Sequence, residues 1–262
     1  MRSFLPLAIA LSLAPFTASA RDLAEIKARG VLKVLVAADE APETFSFQPG
    51  DAPGLERELI EAFSRLYKLE MKPVPVKDFS DFIPALLRGD GDVILAINDT
   101  EARRKQIDFT REVLPSRHVV VTRKPDGAIT TLESLRAARV GVSFGTTWAE
   151  AATAAGVPPS KLVDLPDMKA ILEALRTRKA TAAVVSLADL TLALRSDPDL
   201  RAGMFVGPAG SAAWGLRKSD LELHRALDEH LDNSRKTGSW SRLVVKYYGA
   251  GALKVLDRAT AR

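Results

Sequence analysis

Short apolar runs and amphipathic stretches alternate along the first half of the chain. Strands are predicted where the runs are short and apolar or alternating, at residues 31–37, 71–76 and 92–97. Between them, residues 55–67 have apolar side chains at the spacing of an amphipathic helix, and residues 79–87 form a shorter helical pattern that Gly89 closes. This strand–helix order predicts a largely parallel sheet with right-handed crossovers.

A second round of the same pattern begins after an extended apolar segment at residues 119–123. Its helical patterns are at 132–137, 147–155, 168–176 and 187–194, and its strand patterns are at 140–143, 162–165 and 182–185. The order of elements repeats whereas the sequence does not, so two similar α/β units are predicted. Residues 214–217 are expected to return the chain to the first unit before helices at 221–236 and 240–248. The last residues, 250–262, are predicted to be a loosely held tail.

The first twenty residues have the pattern of a secretory signal peptide. Met1-Arg2 is a basic start, residues 4–16 are apolar, and Ala18-Ser19-Ala20 is a small-residue cleavage site. The apolar stretch is too short to span a bilayer, and no later run of about twenty apolar residues follows. We therefore expect a soluble periplasmic protein that is cleaved after Ala20 and begins at Arg21.

The composition of the chain excludes several kinds of site and function. The 262 residues are 47% apolar and 27% charged, with a formal net charge of +4. The absence of Cys excludes disulfides, thiolate metal sites and a lipid-modified N-terminal Cys. No basic run with interleaved aromatic residues indicates nucleic-acid binding. The three His residues, at 118, 224 and 230, lack metal-ligand spacing, so neither a metal nor a cofactor is expected.

Polar side chains follow the predicted strand at residues 92–97. Asn98 and Thr100 come directly after it, and Arg103 and Arg104 lie in the next turn. Open α/β sheets build ligand crevices at such strand ends, and Arg offers a planar fork that matches a carboxylate. The segment predicts a binder of small anionic or zwitterionic molecules.

A second candidate anion site is Gly145-Thr146-Thr147, which follows a strand and opens a helix. Free backbone N–H groups and a Thr cap at this place suit an anion. An ordinary helix N-cap is the alternative interpretation.

Several segments together resemble a known family. They are GVLKVLVA, FSF at residues 45–47, GLERELIEAFSRLYKLE, IPALLRGDGDVIL, TEARRKQIDFT, VGVSFGTTWAE and TGSWSRLVVKYYG. In this order they resemble the extracellular solute-binding proteins of the polar-amino-acid family, which feed ABC importers, and the match runs from Gly30 to Gly249. The resemblance implies an α/β two-lobed clamshell (type II periplasmic binding protein), each lobe a mixed sheet flanked by helices, which closes over one ligand around a two-strand hinge. The implied divisions are a signal peptide at 1–20, the first lobe at 21–120, the second lobe at 121–212, a return to the first lobe at 213–249 and a C-terminal tail at 250–262.

The resemblance also implies the roles of single residues. Arg103 has the position of the Arg that clamps a ligand α-carboxylate, whereas Arg104 is expected to be a surface residue. The other implied ligand contacts are aromatic walls at Phe45 and Phe79, hydrogen bonds from Asn98 and Thr100, and the Thr146–Thr147 site in the second lobe. Three alternatives stay open: either Phe45 or Phe47 belongs to the core, Thr100 is only a cap, and Trp148 is buried rather than facing the cleft.

One departure from the family pattern concerns the ligand ammonium group. The strand at 182–185 ends in Ser186, where amino-acid binders have an Asp. Loss of a charge-assisted bond to a buried ammonium should cost on the order of 2–5 kcal/mol. Asp189, three residues on, is a candidate replacement. The sequence therefore predicts a carboxylate ligand without an α-ammonium, or a larger peptide-like ligand.

The segments GLERELIEAFSRLY, VVVTRK at residues 119–124 and AWGLRK at residues 213–218 also resemble the solute-binding domain of membrane-bound lytic murein transglycosylase F. There this domain precedes a catalytic domain, which we expect to be absent here. A stand-alone sensor that recognises cell-wall peptides or a protein partner is therefore an alternative to transport. A dehydratase-like enzyme on the same fold is a second alternative, but no catalytic motif such as GxSxG, a P-loop or GxGxxG is present. We expect a non-enzymatic monomer whose partners are a small carboxylate ligand and an inner-membrane ABC permease.

Overall fold

The structure, a computed structural model, describes residues 22–38, 40–144 and 146–260. The expected signal peptide and its cleavage site lie outside these residues. The helices are α1 (Leu23–Arg29), α2 (Leu55–Leu66), α3 (Phe82–Arg88), α4 (Glu101–Arg104), α5 (Leu132–Ala137), α6 (Thr147–Ala154), α7 (Met168–Arg176), α8 (Leu187–Ser196), α9 (Leu221–Lys236), α10 (Ser239–Tyr248) and α11 (Ala250–Thr260). The strands are β1 (Val31–Ala37), β2 (Glu70–Val76), β3 (Val93–Asn98), β4 (Asp108–Phe109), β5 (Leu114–Arg123), β6 (Val140–Val142), β7 (Leu162–Asp164), β8 (Ala182–Ser186) and β9 (Leu200–Leu216). Among the described helices, none is long and apolar enough to cross a membrane.

The described strands form one mixed sheet in the order β2-β1-β3-β9-β5-β8-β6-β7, with β4 paired to β9. On one side β1 is parallel to β2 and β3, and on the other β6 is parallel to β7 and β8. The central strands β9 and β5 run antiparallel to each other and to β3 and β8. We call the unit around β1–β4 the first lobe and the unit around β6–β8 the second lobe. The two-lobed α/β fold predicted from the sequence is confirmed.

The central strand β9 is much longer than the sequence analysis predicted. It spans Leu200–Leu216, whereas the pattern indicated only a short return at residues 214–217. Its middle is rich in Gly and Ala, residues that are depleted in strands. At Gly203 a Cβ atom would lie 2.4 Å from the carbonyl oxygen of Ile129, so this position admits only glycine.

The segment predicted to be a loose tail is instead helix α11, which corrects that expectation. Its apolar face is buried, with Ala252 at 0% and Leu256 at 4% exposure. It packs on α10 and, in the second lobe, on α8. Arg258 donates a hydrogen bond to the carbonyl oxygen of Gly203 (2.8 Å), and Arg117 donates one to that of Ala259 (3.3 Å). Helix α11 therefore packs against α10, against α8 of the second lobe and against both central strands.

Candidate functional site

A cavity of about 250 Å³ lies where the two lobes and the central strands meet. Residues of the first lobe, of both central strands, of the start of α8 and of the C-terminal helices line it: Glu40, Thr44, Glu56, Ala96, Asn98, Leu114, Pro115, Ser116, Ser186, Leu187, Ala188, Thr191, Ala212, Tyr248 and Leu256. Concave spaces lined by apolar side chains and a few polar groups are where small ligands usually bind.

The end of β3 is irregular at the cavity wall. Ala96 has a φ of 51°, in the left-handed region that L-residues rarely adopt, and the pairing with β9 shifts between Ile94 and Ile97. The amide of Ala96 consequently points away from the ladder and donates to Oε2 of Glu56 at 2.8 Å. This irregularity brings Asn98 to the cavity at the end of the strand.

Glu56 is a buried acid in the first turn of α2, and the sequence analysis did not identify it. It is 1% exposed, and its Oε2 also accepts a hydrogen bond from Nε1 of Trp214 at 2.9 Å. Burial, reinforced by the nearby Glu40 carboxylate, raises the pKa of Glu56 to about 8. A signal was present in the sequence, because Glu56 shares the apolar face of the predicted helix with Ile60 and Phe63 at helical spacing.

The two neighbouring arginines have different surroundings. Arg104 is paired with Asp99 through two of its nitrogens, so its charge is already matched. Arg103 donates one hydrogen bond to the carbonyl oxygen of Asn98 (2.7 Å) and stacks over the half-exposed ring of Phe79 at 4.9 Å. Within the described part of the chain no carboxylate lies within ion-pair distance of Arg103. Partial burial lowers the pKa of its guanidinium.

The aromatic residues separate into core and surface. Phe45 is completely buried and packs against Phe47, with ring centroids 5.1 Å apart, so it belongs to the core and not to the cavity wall. This corrects the expectation for Phe45. Phe79 is 50% exposed and packs edge-on against the buried Phe82. Trp148 is half-buried against the main core, at the start of α6.

The three predicted threonines contact helix starts or strands. Thr100 is the N-cap of α4, and its hydroxyl accepts from the amide of Arg103 at 3.4 Å. The Thr146 hydroxyl caps α6 by accepting from the amide of Trp148 and donates to the carbonyl oxygen of Ser143. Thr147 Oγ1 lies 2.9 Å from Nε2 of His118 on β5. Gly145, the first residue of that motif, is outside the described residues.

Ser186 lines the cavity from the second lobe. Its hydroxyl is the N-cap of α8, accepting from the amide of Asp189 at 3.0 Å, and it donates to the Asp189 carboxylate. Asp189, the acid that the sequence analysis considered as a replacement, is therefore hydrogen-bonded to Ser186.

The structure thus brings only some of the predicted site residues together at the cavity. Of the predicted contacts, Asn98 and Ser186 line the cavity, and Arg103 with Phe79 adjoins it through Asn98. Thr100, Thr146 and Thr147 are not in its lining. Within the described residues, no cluster of His, Asp and Glu is placed to hold a metal ion.

Comparison with known proteins places this geometry in a family. Residues 32–250 match the model of the bacterial extracellular solute-binding proteins, family 3. Membrane-bound lytic murein transglycosylase F of Desulfosudis oleivorans is 25% identical over 237 residues, which are 88% of this chain but only 52% of that protein. The chain therefore spans about half the length of that relative.

Two further similarities cover nearly whole proteins. A probable histidine-binding protein of Campylobacter jejuni is 24% identical over 82% of this chain and 84% of its own length. The fold matches a polar amino acid ABC uptake transporter substrate binding protein from Streptococcus thermophilus with a TM-score of 0.77, 19% identity, and coverage of 90% of this chain and 92% of that chain. With the family model matching most of its length, this chain belongs to the bacterial extracellular solute-binding proteins of family 3.

Proposed function

We propose that the protein captures a small carboxylate-bearing ligand, an amino acid or a related organic acid, in the periplasm and delivers it to an ABC importer. The cavity carries the proposal, because its walls come from both lobes and from both strands that join them. A ligand in that space touches both lobes only when they are closed, so binding energy favours the closed form. The strands β5 and β9 are then the hinge.

Arg103 is the proposed carboxylate clamp. Its stacking on Phe79 and its bond to Asn98 hold the guanidinium beside the cavity, while no described carboxylate neutralises it. A planar guanidinium bound at one edge still has N–H groups for a bidentate carboxylate. Family relatives support an amino-acid ligand, since their names include histidine-, arginine- and L-cystine-binding proteins.

The matched pair Arg103→Ala and Arg104→Ala tests this proposal. Ligands are first sought among the amino acids and their deaminated acids by the rise in melting temperature of the ligand-stripped protein. Calorimetric titration of a hit should show at least a hundredfold loss of affinity in Arg103→Ala and less than a threefold change in Arg104→Ala. Equal losses in both variants would show that the clamp is elsewhere.

Export has its own test: N-terminal sequencing of the protein from the periplasmic fraction should give a first residue of Arg21.

A sensor of cell-wall peptides is the second candidate. The similarity to the transglycosylase, which covers 88% of this chain, favours it. A melting-temperature increase with muropeptides, and none with free amino acids or organic acids, would support sensing over transport.

A further inference from the structure

The second lobe has a row of cations at the edge of the sheet that lies away from the cavity. Ser186 ends β8 at the cavity, and β6 runs parallel to both β8 and β7. The N-terminal ends of these three strands therefore form the opposite edge of the lobe. Their register places Arg139, Lys161 and Thr181, the residues directly before them, side by side.

The two central strands extend the same row. β5 runs antiparallel to β8 and ends at this edge with Arg123, which Lys124 follows. β9 begins here, since Arg123 pairs with Leu200, and Arg201 comes next. Because adjacent strands are about 4.8 Å apart, the strands from β9 to β7 spread the row over roughly 20 Å.

Some cations at this edge are paired with acids and others are not. Arg123 and Arg176 both pair with Asp197, at 3.1 and 3.6 Å. Arg178 pairs with Asp126 at 2.9 Å. The other cations of the edge have no carboxylate within ion-pair distance among the described residues, and all but the half-buried Lys161 are exposed. We call these residues the cationic edge: Lys124, Arg136, Arg139, Lys161, Lys179 and Arg201.

Two arginines of the cationic edge are held in place by main-chain carbonyl groups. Arg139 donates to the carbonyl oxygens of Arg178 (2.7 Å) and Lys179 (3.1 Å). Arg136 donates to that of Ala155 (3.0 Å). A carbonyl group orients a guanidinium without cancelling its charge, and the planar fork has further N–H groups for an anion. The edge therefore presents positive charge in fixed positions.

The cationic edge differs from a nucleic-acid surface because it has no aromatic residues. The segments that form it, 123–139, 155–163, 176–181 and 197–201, contain no Phe, Tyr or Trp. Single-stranded nucleic acid is bound by aromatic stacking together with cations. A row of cations along a sheet edge, rather than around a pocket, suits a broad anionic surface. Clusters of about four to eight Lys or Arg residues bind the anionic headgroups of membranes.

We infer that the cationic edge binds the anionic phospholipid headgroups of a membrane surface, as a weak and reversible contact. The edge lies at the opposite end of the second-lobe strands from Ser186, so this contact does not cover the cavity. It goes beyond the proposed function and does not depend on which ligand the cavity takes. For that function, it concentrates the protein at the membrane that contains the importer.

Vesicle sedimentation of the protein from the periplasmic fraction tests this inference. We expect binding to vesicles of phosphatidylcholine and phosphatidylglycerol in a ratio of about two to one, and none to phosphatidylcholine alone. Because the contact is electrostatic, raising the salt concentration from about 50 mM to about 500 mM should abolish it. Equal binding to both kinds of vesicle, or no binding at low salt, overturns the inference.

Lys124→Gln combined with Lys179→Gln removes two exposed charges of the cationic edge. This variant should bind the mixed vesicles about 25-fold more weakly, which is about fivefold for each charge. The matched control is Lys72→Gln with Lys236→Gln, which removes two exposed lysines on β2 and α9 and lowers the net charge equally. It should keep the wild-type affinity within about twofold, because charges beyond a Debye length from the contact are screened. Equal losses in the two variants would assign the binding to net charge and overturn the inference.

Two further measurements separate the cationic edge from other contacts. Lipid-free cell-wall sacculi at the same low salt should leave the protein in the supernatant, and sedimentation with them as strong as with the mixed vesicles would overturn the assignment to lipid. The Lys124→Gln, Lys179→Gln variant should melt at the wild-type temperature, because surface substitutions change stability little. It should also bind any ligand of the cavity with wild-type affinity. A loss of ligand affinity in parallel with the loss of vesicle binding would contradict two separate surfaces.

Discussion

The two lobes contribute different chemistry to the walls of the cavity. The first lobe presents Glu40, Glu56 and Asn98, with Arg103 beside them. The second lobe presents Ser186, Leu187, Ala188 and Thr191, which are all uncharged, at the first turns of α8. The charged side chains at the cavity therefore lie on one lobe, and the other lobe contributes only neutral polar and apolar side chains to its lining.

This asymmetry bears on how the cavity is used. In our proposal a ligand carboxylate makes its charge contacts with Arg103 on the first lobe before the lobes close. The second lobe then adds burial, which strengthens those charge contacts by excluding water. Changes at Arg103 in the first lobe should therefore alter affinity most, whereas changes to the second lobe should mainly alter how strongly the bound ligand stabilises the closed form.

The largest expected effect is on the pH dependence of stability. Since folding raises the pKa of Glu56 from 4.5 to about 8, the folded state holds its proton more tightly than the unfolded state does. Its contribution to stability is therefore complete below pH 4.5 and is lost as pH rises to about 8. Glu56→Gln should unfold with the same free energy as the wild type at pH 4.5 and be more stable at pH 9, by up to roughly 5 kcal/mol.

Urea unfolding at pH 4.5, 7 and 9 measures this difference. Glu61→Gln is the control, because Glu61 lies on the same helix as Glu56 but pairs with Arg57. A difference between wild type and Glu56→Gln that does not grow with pH would show that the acid is ionised at neutral pH, with a partner of its own.

The next prediction compares the effects of removing an aromatic ring from the core and from the margin of the cavity. Phe45→Ala removes a fully buried ring and should cost about 3–5 kcal/mol of unfolding free energy. Phe79→Ala removes a half-exposed ring under Arg103 and should cost little stability. Its affinity for a carboxylate ligand should fall two- to fivefold, because a cation–π contact at an exposed site is worth about 0.5–1 kcal/mol.

Urea unfolding and calorimetric titration of the two variants provide the readouts. A large stability loss in Phe79→Ala, or an unchanged stability in Phe45→Ala, would contradict this division.

How much of the structure can be predicted from the sequence depends on whether a segment has a clear local pattern of apolar residues. Elements with a clear apolar period were predicted to within a residue or two, as at β1 and α9. Strand β9 was not, because glycines and alanines form it through pairing with distant strands, which no local pattern reports. Arg103 and Ser186 were named as ligand contacts from resemblance and stay predictions, whereas the buried position of Glu56 was missed because its partners, Ala96 and Trp214, are distant in the sequence.

The smallest expected effect comes from placing a carboxylate on the second lobe. Ser186→Asp alone places a new carboxylate beside Asp189, which now accepts a hydrogen bond from Ser186, so repulsion should offset the gain. Combined with Asp189→Asn, the new acid should improve affinity for a cation-bearing amino acid about tenfold, or ~1.4 kcal/mol. Asp189→Asn alone is the control. Calorimetric titration that shows no gain in the double variant would mean that the ligand cation does not approach α8.

The hydrogen bond from Trp214 to Glu56 should make the fluorescence of Trp214 sensitive to the protonation of Glu56. An indole whose N–H donates to a carboxyl group experiences a different local field when that group loses its proton. Trp214 is completely buried, so the bulk solvent does not obscure this change. The ultraviolet emission of the protein therefore carries a signal of the proton on Glu56, and subtraction of the Glu56→Gln spectrum isolates it from the emission of Trp148 and Trp240. The protonation of this buried acid can be followed in this way without a dye or a label.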